Sequence, residues 1–197
     1  MKHKGKTNPP GRIRIMKALS GLMMEKDFNS ITTAEIANTA EVTEALIYKY
    51  FRDKKDLLYQ VLDGLFSEFN SGLEREIKRE KGAIEKIRVI ILKSLEEYSA
   101  NRVFAKMLFL EVRSSPRFFK SKAYQNIKIY AGGLLTIIEK GIEEGELKAS
   151  INPFTMRKII LGAIEHACLG EIIFNRDLDI QTITDEISNI LFEGAGA

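Results

Sequence analysis

At 197 residues, with 45% hydrophobic and 29% charged residues, the chain has the balance of a folded globular protein and not of a disordered one. Its net charge of +3 is unevenly placed, with eleven Lys/Arg against seven Asp/Glu in residues 1–60 and nineteen against twenty in the remainder. The single cysteine, Cys168, excludes an internal disulfide and fits a reducing compartment.

Residues 1–11 read as a flexible basic arm: Lys2, Lys4, Lys6, Arg12, Arg14 and Lys17 precede the first acid, and Pro9 and Pro10 read as non-helical. The arm is basic but lacks the apolar stretch of a signal peptide. From Arg12 the apolar positions Ile15, Leu19, Leu22 and Met23 recur at helical spacing, and the helix they predict stops near Lys26–Asp27. Thr32 followed by Glu35 is a capping box, so a short second helix begins at Thr33 and turns Ile36, Ala37 and Ala40 inward. Thr43 is a second N-cap candidate, for a helix running to Tyr50. Asp53 with Asp56 opens a fourth helix carrying Leu57, Leu58, Val61, Leu62 and Leu65. Beyond it the periodicity predicts helices over about 68–80, 83–100, 102–114, 118–145, 153–175 and 180–193, with Asn152-Pro153 as N-cap and first helical residue. No strand pattern or repeat interrupts them. The expected fold is therefore all-α: an N-terminal head over 12–58 and a helical body over 59–197.

Two short capped helices joined by a tight turn make a helix-turn-helix, whose second helix fits the major groove. Ile36, Ala37, Val42, Ile47 and Phe51 supply its small core, which leaves Thr43, Glu44, Ala45, Tyr48 and Lys49 facing outward. A basic head on a near-neutral body suits a polyanion at one end.

The run Ile36-Ala37, Ala40-x-Val42-Thr43, Ile47-Tyr48-x-Tyr50-Phe51, Lys54 and Leu57-Leu58 resembles the DNA-binding head of the TetR family in order and spacing. The resemblance implies that Thr32 and Thr33 touch phosphates. It places Thr43, Glu44, Ala45 and Leu46 at bases and phosphates, and Tyr48, Lys49, Tyr50 and Lys54 at the DNA backbone. Two positions depart from the family, which has Gly where this chain has Asp27 and Glu41. A left-handed Glu41 costs roughly 1 kcal/mol.

The body follows the same resemblance. Ile160, Ala163, Ile164 and Ala167, with Ile183, Ile187, Ile190 and Leu191, form two stripes that fit either the chain's own core or a four-helix homodimer interface. Tyr98, Phe104, Leu108, Glu111, Tyr124, Tyr130 and His166 mix aromatic surface with polar handles, as effector cavities do. Residues 109–148 and 161–174 also resemble the fatty-acid-degradation regulators of the family, which respond to long-chain acyl-CoA; the Glu111–Arg113 pair and residues 139–145 carry that likeness.

Enzymatic signatures are missing. Only His3 and His166 exist, no Cys/His cluster has metal-ligand spacing, and Gly132-Gly133 matches no phosphate loop, so neither catalysis, metal nor cofactor is expected. No apolar run approaches the roughly 20 residues that span a bilayer. The expectation is a cytoplasmic, homodimeric transcription regulator, a repressor that binds double-stranded operator DNA and is released by a small hydrophobic effector such as a fatty acyl-CoA, with no membrane partner. Two other readings fit the same sequence: a ligand sensor acting through a protein partner with an idle head, and a constitutive regulator without effector.

Overall fold

The computed structural model describes residues 9–194, and the charged part of the expected arm, Lys2, Lys4 and Lys6, lies outside them. All regular structure among these residues is helical, in two compact units that divide between Gly64 and Leu65.

In the first unit α1 (Pro10–Glu25) is followed by a 3₁₀ turn (Phe28–Ser30), α2 (Thr33–Thr39), α3 (Glu44–Tyr50) and the first turns of α4 (Lys54–Ile77). Pro10 opens α1 instead of lying ahead of it, because a proline at the first helical position gives up no hydrogen bond. The capping box forms as expected: Glu35 N donates to Thr32 Oγ1 at 3.1 Å, and Thr32 N to a Glu35 carboxylate oxygen at 3.3 Å. The Lys26 ammonium bonds to the same carboxylate and holds it below the usual range, helped by the Thr32 amide. Glu41 is left-handed, at φ 53°. It stands one past the C-cap Ala40, where the bonds Val42 N→Ala37 O (3.0 Å) and Glu41 N→Asn38 O (3.1 Å) close a Schellman turn. Asp27 does not share that conformation; at φ −64° it is ordinary extended backbone leading into the 3₁₀ turn. Ile15 and Leu19 of α1 meet Ile36, Ala37, Ile47 and Phe51 in a closed core, while Val42 is only half-buried.

The second unit holds the rest of α4 with α5 (Ala83–Ala100), α6 (Arg102–Lys106), α7 (Lys122–Glu143), α8 (Pro153–Ile173) and α9 (Ile180–Phe192). The expected break near residue 66 is absent. Leu58, Leu62, Phe66 and Leu73 continue one buried stripe, and nothing in Phe66-Ser67 stops the helix. The expected helix over 102–114 is α only to Lys106, and Met107–Glu111 is π-helical, closed by Val112 N→Met107 O at 3.1 Å. A wider turn spaces successive side chains by a smaller angle, so Met107, Leu108 and Phe109 all turn inward. The helix expected from 118 begins as a 3₁₀ turn (Phe118–Lys120), and α7 starts at Lys122, capped by Ser121. Helix α5 packs on α7, α8 and α9 around Ile87, Ile91, Leu95 and Ile138. At Gly141 a β-carbon would stand 2.5 Å from that of Ala83, so glycine there sets how closely α7 approaches α5.

Candidate functional site

In the head, Thr33, Glu44 and Tyr48 form one cluster. The Tyr48 hydroxyl donates to Thr33 Oγ1 at 3.4 Å, and Thr33 donates to the Glu44 carboxylate at 2.8 Å. These bonds tie the start of α2 to the outer face of α3. Thr32, Thr43, Ala45 and Lys49 are exposed around it, and the Tyr48 side chain stands 55% exposed. Thr43 is the N-cap of α3, but its hydroxyl makes no capping bond. Leu46 and Tyr50 sit apart from this face: both are half-buried and reach Gly11 of α1, where a β-carbon would touch them at 3.1 and 3.7 Å.

Lys54 has a role that local sequence does not reveal. Its ammonium donates to the carbonyls of Phe28 (2.7 Å), Asn29 (3.3 Å) and Ile31 (2.6 Å), and it lies 4.5 Å from the Phe28 ring centre. The ammonium thus ties the carbonyls of the 3₁₀ turn and of its C-cap Ile31 to the start of α4. Lys54→Met keeps the stem over Phe28 and removes the ammonium's bonds to those carbonyls. It should lower the unfolding free energy by about 2 kcal/mol, read as a shifted urea midpoint. A side chain that served DNA alone would leave the midpoint where it was.

In the body, the residues expected at an effector site scatter. Tyr98, Phe104 and Leu108 are buried, with Tyr98, Phe104 and Phe109 in edge and tilted ring contacts 5.0–6.1 Å apart. Tyr124 packs with Phe118 and Phe119, Glu111 is half-exposed, and His166 lies exposed on α8. Arg113 pairs with Glu165 on α8 through two 2.6 Å bonds, not with Glu111. Of the seven, Tyr130 lines a cavity of about 510 Å³ between α4 and α7, floored by Leu73, Ile77, Ile90 and Leu134. An adjoining cavity of about 410 Å³ shares Ile77, Lys78 and Ile137 with it and adds Lys86 and Lys140 beside Glu80 and Glu144. Sequence periodicity misses this cavity because its walls, on α4 and α7, are neighbours only once the body has folded.

Three protonated groups are held neutral by burial. The Cys168 thiol is pushed from 9.0 to about 12, and Tyr130 from 10.0 to about 12, the latter partly offset by its bond with Ser94. Burial also raises Tyr98 well above 10.0. The folded chain thus keeps protons that the unfolded chain releases, so this stability is complete below pH 9.0 and falls as pH rises toward 12. Urea midpoints should drop between pH 8 and about pH 10.5. Cys168 should also resist thiol reagents at pH 8 until the protein is unfolded.

On α8, Ile160 and Ile164 fill the interior of the body, which removes them from any outward pairing surface. Ala163 and Ala167 are half-exposed, and Ile159 is 54% exposed. On α9 the order is inverted. Thr184 and Ser188 are buried, their hydroxyls bonded back to Ile180 O (2.7 Å) and Thr184 O (2.6 Å). Ile183, Ile187 and Leu191 are half-exposed and Ile190 is 62% exposed.

This arrangement, a capped helix-turn-helix ahead of a helical body, has known counterparts. The family profile described as bacterial regulatory proteins, tetR family, matches residues 15–61, and that described as YsiA-like protein, C-terminal region, matches residues 63–194. The chain belongs to the TetR family. Its TetR-family relatives include the fatty acid metabolism regulator protein of Bacillus subtilis, 25% identical over 189 residues and aligned across 96% of this chain and 97% of that one. Among solved structures, the transcriptional regulator FadR from Bacillus subtilis in complex with stearoyl-CoA superposes with a TM-score of 0.84 at 24% identity, covering 93% of this chain and 99% of the other. The fatty acid degradation regulator FadR from Bacillus halodurans gives 0.85 at 20% identity, over 96% and 98%. The protein is a TetR-family transcriptional regulator, with a DNA-binding helix-turn-helix in its head. Among the described residues no helix is long and apolar enough to cross a membrane.

Proposed function

We propose that this regulator acts in the cytoplasm as a homodimeric repressor: residues 12–58 bind a palindromic operator, and residues 59–197 pair the subunits and take up a hydrophobic effector that releases the DNA. The carrying observation is the cavity between α4 and α7, whose apolar floor adjoins a second cavity with Lys78, Lys86 and Lys140. Its volume falls within the usual range of small-molecule sites, roughly 300–1,000 Å³. An apolar slot beside lysines suits a chain with an anionic head, and the solved relative with bound stearoyl-CoA makes a long-chain acyl-CoA the effector of choice. The outward cluster of Thr33, Glu44 and Tyr48, with Thr32, Thr43, Ala45 and Lys49 around it, supports the DNA contact. Leu46, Tyr50 and Lys54 support that surface from behind. A dimer sets two such faces in successive major grooves, about 34–36 Å apart.

Effector and operator oppose one another through one coupling free energy, so each weakens the other by the same factor. Fluorescence anisotropy on DNA from the upstream region of the chain's own gene tests both halves of the reading. The labelled duplex should bind tightly against scrambled competitor, lose affinity steeply as salt rises, and be released by micromolar palmitoyl-CoA. Binding that survives saturating acyl-CoA would leave a constitutive regulator, and binding no better than to scrambled DNA would favour a sensor with an idle head.

A further inference from the structure

The outer face of α3 carries an acid where a polyanion is expected to dock. Glu44 is exposed, and one oxygen of its carboxylate accepts the Thr33 hydroxyl at 2.8 Å. Among the described residues no lysine or arginine pairs with it. The anion stands beside Tyr48, whose hydroxyl donates to the same Thr33, on the proposed DNA-binding face. Toward the phosphate backbone a carboxylate is repulsive, because neither group has a proton to give and both are negative. On DNA it is satisfied by a donor. In the major groove the donors are the N4 amino group of cytosine and the N6 amino group of adenine. Their surroundings differ. Adenine sets the acceptor N7 beside its amino group, which opposes an incoming carboxylate, whereas cytosine sets a C–H there.

We propose that Glu44 is a specificity-determining residue of α3: its carboxylate accepts from the amino group of a cytosine at one position of each operator half-site, and it repels duplexes without a donor there. The inference rests on the proposed DNA-binding face and adds the base that this face reads. Thr33 positions the acid. By binding one oxygen from α2, it leaves the other to meet the groove. A dimer carries Glu44 twice, so the cytosine recurs once in each half of a two-fold site.

The test is selection of bound duplexes from a random library by the full-length protein and its Glu44→Gln and Glu44→Ala variants. Anisotropy on the selected site and its single-base-pair substitutions then gives affinities. The wild type should select a cytosine in each half-site, and exchanging that C·G pair for T·A should cost about tenfold or more. Glutamine keeps an acceptor oxygen for Thr33 and adds two N–H donors. It should move the preference at that position toward adenine, whose N6 and N7 it bridges. Alanine should bring the cytosine-to-thymine penalty below about twofold and tighten binding to scrambled duplex, because a charge facing the phosphates is gone. A wild-type motif without such a cytosine overturns the proposal, as does an unchanged preference at every position in both variants. So does an affinity loss equal across all sequences, which a residue that merely braces α2 against α3 would give. Wild-type protein that selects no motif sinks the DNA-binding face and the inference together, whereas a selected motif indifferent to Glu44 sinks only the inference.

Discussion

Tyr48→Ala combined with Lys49→Glu should weaken operator binding by at least about 100-fold while leaving the thermal melt within a degree or two of wild type. Both side chains are exposed on α3, so neither holds the core of the head. Tyr48 reaches Thr33 from α3, and Lys49 carries the positive charge of the last turn. Removing the phenol takes away a hydroxyl within reach of phosphate. Reversing Lys49 replaces a phosphate-neutralising charge with a repelling one, so the log–log salt slope should flatten as well. Anisotropy titrations at two salt concentrations read both effects. Retained affinity with an unchanged slope would place the DNA contact on another surface.

Ile159→Glu with Ile190→Glu should convert the dimer to monomer across the micromolar range in sedimentation velocity, a loss of at least about 100-fold in association. These positions are 54% and 62% exposed in the single chain, so the subunit fold does not depend on them. Across a two-fold interface each substitution occurs twice, and four carboxylates would be brought into an apolar contact without partners. The inversion of α9 is the physical argument. Its small polar residues Thr184 and Ser188 are buried in the body, with hydroxyls satisfied by their own helix, while Ile183, Ile187 and Leu191 stay half-exposed and Ile190 is exposed. Apolar surface left part-exposed along one helix gains stability when a second surface covers it. Persistence of the dimer would move the interface off α8 and α9.

Much of the head was legible because its determinants are local. The Thr32–Glu35 box spans four residues and forms the same two bonds wherever such a box starts a helix, so no distant contact is needed to place α2. Left-handed Glu41 was readable from the glycine that the resembling family has there, whereas Asp27, where the family also has Gly, is extended. The 3₁₀ turn after Asp27 makes the difference. Ile31 N closes that turn onto Phe28 O, and Lys54 holds its carbonyls from across the head. That lysine is 23 residues from Ile31, beyond the reach of any turn signal. In the body, periodicity located the helices but split one continuous α4 in two near residue 66, where nothing in Phe66-Ser67 stops the helix.

By itself, the sequence determined the all-α class, the helix-turn-helix with its caps, and which face of α3 is free, since each follows from spacings of three and four residues. Tertiary structure decided the rest. On α8, Ile159 and Ile160 are adjacent and equally apolar, and only packing against α5 and α7 turns Ile160 inward and leaves Ile159 out. Asn70 bonds to the main-chain oxygen of Asn126 across 56 residues, a contact that arises only once α4 and α7 stand side by side. Composition and periodicity record how a residue relates to its neighbours in the chain; a cavity is made by residues that are neighbours only in space.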